Sequence, residues 1–159
     1  MAIAEQRTTN AGGATSSPRS LARVELLARI IAALKSDDGT VLVPGFYDDV
    51  APPSRQERFE ISCLPFDEEG FRKQTGVPSL VAGEPGFTVL ECMGIRPTLD
   101  VNGIWGGFTG EGSKTIIPAH AHAKVSCRLV PDQDGDRLFE RFRQFVLEVA
   151  PKGVKVEVQ

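Results

Sequence analysis

The segment from Ser113 to Pro131, SKTIIPAHAHAKVSCRLVP, holds both histidines of the chain, one of its three cysteines and an arginine. His120 and His122 are one residue apart, so on a β-strand both imidazoles would project from the same face. A structural zinc ion takes four protein ligands and a catalytic zinc ion takes three, yet the chain has no third histidine. The pattern therefore predicts no metal site, and histidines that face solvent or a partner.

The same segment gives little indication of nucleophilic catalysis or of phosphate binding. Ser126 shares the predicted strand with the histidines, but no serine of the chain sits in a nucleophile elbow. The stretch from Gly106 to Gly112 is followed by Ser-Lys-Thr, but it lacks the spacing of a phosphate-binding loop and precedes a strand instead of a helix. We therefore expect no catalytic residue in this chain, and a flexible turn at the glycine-rich stretch.

Residues 120–129 alternate between polar and apolar types, which predicts a strand with two different faces. The apolar row is Ala121, Ala123, Val125, Cys127 and Leu129, and the polar row is His120, His122, Lys124, Ser126 and Arg128. The guanidinium of Arg128, carried on a rigid strand, has the planar fork that binds a carboxylate through two hydrogen bonds. The polar row therefore predicts an anion-binding face on which Arg128 is the most specific residue.

Two amphipathic helices and further strands must position this row. One helix is predicted after Ser20, with an apolar stripe at Val24, Leu27, Ala28, Ile31 and Leu34. A second is predicted after Asp132 or Asp134, with a stripe at Leu138, Phe139, Phe142, Phe145, Val146 and Val149. Strands are predicted over 98–103, 115–130 and 153–159. These elements favour an α+β sandwich, in which both helices cover one face of an antiparallel sheet and leave the other face open.

The remaining segments set the expected domain limits. Residues 1–20 are small and polar without an apolar period, which predicts a disordered lead-in. Residues from about 47 to 97 are rich in proline and charge, and within them SRQERFEISCL and DEEGFRKQTG predict two short helices, the second capped by Asp67. We therefore expect one domain over residues 21–159 with an insertion at about 47–97.

Size, charge and cysteine usage exclude several classes of protein. A chain of 159 residues suffices for one compact domain, and a net charge of −3 gives no electrostatic reason to expect nucleic acid or an anionic membrane as partner. Residues 1–14 lack the basic and apolar regions of a secretory signal, so we expect a cytoplasmic location. Cys63, Cys92 and Cys127 are widely spaced and odd in number, which predicts buried free thiols.

Four motifs in this order resemble one known domain: LVPGFYDDV, GEPGFTVLE, RPTLDVNGIWGGFTGEGSKTIIPA and AKVSCRLVPDQD. From about Val24 to Gln159 the chain is similar to the lid, or dimerisation, domain of the zinc aminoacylase/carboxypeptidase and carnosinase-like dipeptidase family of metallopeptidases. The most specific part is KTIIP followed by SCRLVP, with LDVNGI upstream. The resemblance implies a ferredoxin-like two-layer sandwich, in agreement with the one-sided sheet.

The resemblance also implies a domain that is not a complete enzyme. Family members insert this lid into a separate catalytic domain that holds two zinc ions, and the lid pairs with its copy in a second subunit. The resemblance therefore implies no cofactor in this chain, and two zinc ions in a catalytic domain that the chain does not contain. The partners that it implies are a second copy of the chain, that catalytic domain, and a small peptide or acyl amino acid as substrate.

Functional residues carry over from the family position by position. Thr115 matches the threonine of the KTVIP-type segment, and Arg128 matches the arginine of the S-x-RLVP segment; in the family both contact substrate, the arginine at its terminal carboxylate. Asn102, in LDVNGI, is expected on the same side. The family lid also carries a histidine in an HSG-type motif before a Gly-Gly pair, and the corresponding zone here, EQRTTNAGGATSS, has none.

Three functions remain open from the sequence. The leading hypothesis is a dimerisation and substrate-clamping lid of a di-zinc dipeptidase or aminoacylase, not catalytic in isolation. The alternative is a stand-alone ferredoxin-like module that binds small carboxylates on the Arg128 face. The third is an intact hydrolase with a site around His120 and His122.

Overall fold

The predicted helices and the paired strands recur in the structure, a computed structural model that describes residues 2–3, 23–80 and 84–159. The elements in chain order are β1 (Ala2–Ile3), α1 (Arg23–Ala32), α2 (Arg55–Ser62), α3 (Glu68–Thr75), α4 (Val89–Gly94), β2 (Thr98–Gly106), β3 (Ala121–Arg128) and α5 (Gly135–Val149). No helix in these described ranges has the length and apolar character needed to cross a membrane. The predicted lead-in at 1–20 and its cap Ser20 lie outside the described residues, except that Ala2 and Ile3 form β1 where disorder was expected.

The three strands form one antiparallel sheet in the order β1-β3-β2. On β2 and β3, Leu99 lies opposite Cys127 and Val101 lies opposite Val125. A β-bulge follows, because the next pair joins Gly103 to Lys124 and leaves one extra residue, Asn102, on β2. The bulge keeps the apolar rows of both strands on the same face.

Both long helices pack on that apolar face. The core cluster joins Ile30 of α1, Leu99 of β2, Val125 of β3, and Phe142 and Val146 of α5, each at most 3% exposed. Full burial of such a side chain contributes about 1.5–3 kcal/mol, so this layer supplies most of the stability of the sandwich. The predicted α+β class, with an antiparallel sheet and its two main helices on one side, is confirmed.

Three short helices, α2 to α4, lie between α1 and β2, in the region predicted as an insertion. Asp67 caps α3 as expected, because its side chain accepts a hydrogen bond from the backbone N–H of Gly70 at 3.0 Å. Helix α4 was not predicted, although the Thr88-x-x-Glu91 spacing is that of a capping box, and the structure shows both of its reciprocal hydrogen bonds.

Two strand predictions, one before β3 and one after α5, extended further than the structure shows. Residues 113–120 have no regular structure, so β3 begins at Ala121 and not near Thr115. Gly153–Gln159 forms no strand among the described residues beyond a single bridge at Val158, although Val156 and Val158 pack against the core. Alternation reports which side chains one face buries, but it does not supply the neighbouring strand that a ladder needs.

Two burial predictions were also wrong. Ala28 of α1 is exposed, because the helix turns its larger apolar residues Leu26, Leu27 and Ile30 toward the sheet. All three cysteines are free thiols, but Cys63 is exposed at the end of α2 while Cys92 and Cys127 are half-buried. The apolar neighbours of Cys63 in sequence therefore do not correspond to a buried site.

Candidate functional site

The open face of the sheet carries the polar row that the sequence predicted. Along β3, Ala121, Ala123 and Val125 are buried, whereas Lys124, Ser126 and Arg128 are exposed. The alternation arises because successive side chains of a strand point to opposite faces, and only the apolar face meets α1 and α5. The exposed row is therefore free to contact a ligand or another protein surface.

Arg128 stands at the end of β3, where the sheet meets the inserted helices. Its Nη1 donates a hydrogen bond to the carbonyl oxygen of Met93, in the last turn of α4, at 3.3 Å. The residue also lines an open cleft of about 410 Å³ between the sheet edge and α4, whose walls include the ion pair of Lys35 and Asp100 at 3.6 Å. An arginine has five N–H donors, so one contact to Met93 leaves most of the guanidinium able to bind an anion.

Asn102 occupies the bulge and leans toward Ser126. Its Nδ2 donates a hydrogen bond to Oγ of Ser126 at 2.6 Å, and both side chains are exposed. Ser126 is two residues before Arg128, about 7 Å along the strand at the usual rise. The bulge thus places an amide, a hydroxyl and a guanidinium on one short stretch of the open face.

Thr115 is not brought to this group. It is exposed in the connection between β2 and β3, which leaves the sheet at Gly106 and returns at Ala121. That end of β3 is opposite to the end that carries Arg128. Within the part of the chain that the structure describes, the two predicted residues that share a surface are Asn102 and Arg128.

The two histidines take part in an aromatic stack. The ring of His122 lies against that of Trp105 on β2, with centroids 5.1 Å apart and planes at 12°, and Nζ of Lys124 lies 5.9 Å from the indole centroid. The rings of His120 and His122 are 6.4 Å apart at their centroids. No group of three or more histidine, cysteine, aspartate or glutamate residues able to hold a metal exists among residues 23–80 and 84–159.

Sequence reasoning missed an ion pair beside the site, whose carboxylate is buried. Glu91 of α4 is 3% exposed, and its Oε1 accepts a hydrogen bond from Nε of Arg58 at 2.7 Å. Its Oε2 accepts one from the backbone N–H of Thr88 at 2.7 Å. The hydrogen bond from Arg58, followed by the one from Thr88, lowers the pKa of Glu91 from its ordinary 4.5 to about 2. The capping-box spacing was the signal that would have indicated Glu91, whereas nothing local indicated Arg58.

A second ion pair closes the base of the insertion. Arg96, immediately before β2, is 7% exposed and donates two hydrogen bonds to Glu84, from Nε at 2.8 Å and from Nη2 at 2.6 Å. Its guanidinium also lies over the ring of Phe87, 4.3 Å from the centroid. Arg96 and Glu84 form a largely buried pair before β2, and the buried Glu91 carboxylate binds the half-exposed Arg58, so the two pairs together fix the segment around α4.

The one-sided antiparallel sheet, the two helices beneath it and the inserted helical segment form a two-layer α+β sandwich that solved M20-type peptidase structures share. The sequence profile of the family described as "Peptidase dimerisation domain" matches residues 24–154, and the chain belongs to this family. The resemblance drawn from the motifs between Val24 and Gln159 is thereby confirmed.

Solved structures and curated relatives agree with this assignment. An M20 family metallo-carboxypeptidase from Sulfolobus solfataricus is 36% identical, with a TM-score of 0.74 over 86% of this chain and 35% of its own. Human carnosine dipeptidase 1 is 26% identical, with a TM-score of 0.75 over 86% of this chain and 29% of its own. The Cys-Gly metallodipeptidase of Schizosaccharomyces pombe is 30% identical over 123 residues, 77% of this chain and 26% of that protein. The chain thus spans about a quarter of the length of such curated relatives.

Proposed function

We propose that this chain is the dimerisation and substrate-clamping lid of a di-zinc dipeptidase or aminoacylase-type hydrolase, and that it is not catalytic in isolation. Its membership of the peptidase dimerisation domain family supports this role, as do relatives that carry the names of dipeptidases. The single observation that carries the clamping half is the placement of Arg128, exposed on a rigid strand beside an open cleft.

Arg128 would bind the terminal carboxylate of a small peptide or acyl amino acid. A charge-assisted pair between a guanidinium and a carboxylate is stronger than a neutral hydrogen bond, and its bidentate geometry fixes orientation. Asn102 and Ser126 lie close enough on the same face to contact the rest of a dipeptide-sized ligand. Thr115 would reach the substrate from the β2–β3 connection, and this role rests on the family resemblance alone.

The bond-breaking chemistry would belong to a separate catalytic domain with two zinc ions. We assign no hydrolytic step to this chain. The partners of the lid would be that domain, the substrate and a second lid. Neither nucleic acid nor a membrane is proposed as a partner, and the expected location is cytoplasmic.

Pairing of two lids would use the free edge of the sheet. Strand β2 is at the edge of the described sheet, and its Ile104 and Trp105 are 55% and 45% exposed. An exposed edge strand invites pairing with another strand, and an isologous contact between two copies would cover it. Sedimentation of the purified chain should therefore show a dimer at high micromolar concentration, whereas a strict monomer would contradict the pairing.

The clamping role is tested by Arg128→Ala in the full-length enzyme that contains this domain. Loss of a charge-assisted hydrogen bond costs about 1.5–3 kcal/mol, so we expect kcat/KM for a dipeptide to fall by about 10- to 150-fold with the zinc content unchanged. For the same dipeptide with an amidated C-terminus, Arg128→Ala should leave kcat/KM almost unchanged, because this substrate offers no carboxylate. The matched control is Arg143→Ala on the exposed side of α5, where the arginine contacts Glu140 at 3.4 Å.

Equal losses of kcat/KM for the free acid and the amide would refute a carboxylate clamp.

Calorimetry of the isolated chain with dipeptides would distinguish the proposed lid from the alternative, a stand-alone module that binds carboxylates. A lid without its catalytic domain should bind them very weakly, whereas micromolar binding abolished by Arg128→Ala would favour the module. Stoichiometric zinc in the isolated chain would favour the third hypothesis, a hydrolase site at His120 and His122.

A further inference from the structure

The inserted segment meets the proposed clamp through a hydrogen bond between α4 and Arg128. Nη1 of Arg128 donates to the carbonyl oxygen of Met93 at 3.3 Å, in the last turn of α4. The last carbonyls of a helix have no partner within the helix, and a basic side chain near that end is a favourable partner for them. The direction of the Arg128 guanidinium therefore depends on where α4 places this carbonyl.

Helix α4 is in turn held by the carboxylate of Glu91. This side chain is almost completely buried, and it accepts hydrogen bonds from Nε of Arg58 at 2.7 Å, from Nη2 of Arg58 at 3.2 Å and from the backbone N–H of Thr88 at 2.7 Å. Glu91 is two residues before Met93 on a helix of six residues. A shift of Glu91 would therefore move the carbonyl that Arg128 contacts.

Arg58 connects this carboxylate to the rest of the insertion. Its Nη2 also donates to the carbonyl oxygen of Gly86 at 2.8 Å, and its guanidinium lies 5.4 Å from the centroid of the Phe87 ring. The side chain thus joins α2, the turn before α4 and α4 itself. Since Arg58 is 33 positions away from Glu91 in sequence, the pair closes the insertion into one unit.

We propose that Glu91, together with Arg58, is a positioning residue for Arg128. The ion pair fixes the position of α4, α4 fixes the position of the Met93 carbonyl, and that carbonyl orients the guanidinium so that its remaining N–H donors face the substrate carboxylate. This inference rests on the proposed clamping function of Arg128. In this proposal the inserted helices contribute to substrate recognition, a role that neither the motifs nor the family assignment indicates.

The test compares Glu91→Gln, Arg128→Ala and the double variant in the full-length enzyme, with a dipeptide and its C-terminal amide as substrates. Glu91→Gln keeps the shape of the side chain and removes its charge. We expect KM for the dipeptide to rise about three- to tenfold, as for the loss of one orienting hydrogen bond, with kcat nearly unchanged. The amide should show no such rise, and in the Arg128→Ala background Glu91→Gln should add nothing further to KM.

Arg58→Gln provides a second variant that is more severe, because it leaves the buried carboxylate of Glu91 without its charged partner, whereas Glu91→Gln leaves only the half-exposed Arg58 unpaired. It should reproduce the KM effect of Glu91→Gln. The control is Asp134→Ala, which removes the hydrogen bond that the Asp134 carboxylate accepts from the backbone N–H of Arg137 at the start of α5, and which weakens the fold away from α4. This control should leave the ratio of the KM values for the dipeptide and its amide unchanged.

The outcomes separate the inference from the function on which it rests. A KM effect of Glu91→Gln that is equal for dipeptide and amide, or that adds fully to that of Arg128→Ala, overturns the positioning role and leaves the clamp intact. No preferential loss for the free acid in Arg128→Ala overturns the clamp and the positioning role together. The inference is supported if Glu91→Gln and Arg58→Gln raise KM for the free-acid dipeptide but not for its amide, and if Asp134→Ala does not have this effect.

Discussion

The buried carboxylate of Glu91 should make the stability of this domain depend on pH in a way that one substitution removes. Its pKa is lowered from 4.5 to about 2, first by the hydrogen bond from Arg58 and then by that from the backbone of Thr88. A group whose pKa is depressed in the folded state stabilises that state above its unfolded pKa. The stabilisation by Glu91 is therefore fully present above about pH 4.5 and is lost as the pH falls towards 2.

The size of the effect follows from the same difference in pKa. A fall from 4.5 to about 2 sets an upper limit of about 3 kcal/mol on the stabilisation. Arg58 is 45% exposed, so solvent screens part of the interaction, and we expect about 1–2 kcal/mol. Glu91→Gln should lower the free energy of unfolding by this amount at pH 7.

Urea unfolding followed by circular dichroism would measure the difference at pH 7, 4, 3 and 2.5. The gap between the wild type and Glu91→Gln should narrow as the pH falls, because the wild-type carboxyl becomes neutral like the amide. A matched control is Glu60→Gln on α2, where the exposed carboxylate accepts a hydrogen bond from the side chain of Gln56 at 2.9 Å. A gap between wild type and Glu91→Gln that stays constant over this range would refute the reasoning.

Two further predictions concern the core and the thiols. Phe142→Ala should lower the free energy of unfolding by about 3–5 kcal/mol, because this side chain is buried in the core. Leu147→Ala, on the exposed side of α5, should lower it much less. Similar losses for the two variants in urea unfolding would contradict the packing of α5. Burial raises the pKa of the Cys127 thiol from 9.0 to about 11, so at pH 8 a brief iodoacetamide pulse should label the exposed Cys63 faster than Cys127, as measured by peptide mass spectrometry. Equal labelling of the two cysteines would contradict the burial of Cys127.

Much of the fold could be predicted because its signals are local. The apolar stripe of α5 is half-buried or fully buried at every predicted position from Leu138 to Val149, and Asp134 and Asp67 cap their helices. The tail at 153–159 shows the limit of such signals, since its alternation matches a strand that the described residues do not complete. Capping and periodicity depend on neighbours in the chain, whereas a ladder depends on another strand.

The candidate site was predictable only in part. Arg128 and Asn102 lie on the open face as expected, but Thr115 is at the other end of β3 from Arg128. The register between β2 and β3, with its bulge, decides that Asn102 meets Ser126 and that Trp105 stacks on His122. The spacing of residue types within either strand does not indicate this register.

The sequence by itself determined which residues belong to one face or one helix stripe, and its motifs indicated the family. Only the tertiary structure decided that Arg128 meets Met93 and that Arg58 pairs with Glu91, over separations of 35 and 33 residues. The physical reason is that side-chain periodicity is set by the backbone geometry of each element, whereas these contacts depend on how the inserted helices dock on the sheet. The residues that first suggested chemistry, His120 and His122, are near each other and Trp105 in that structure, and the clamp and its support lie at the opposite end of the strand.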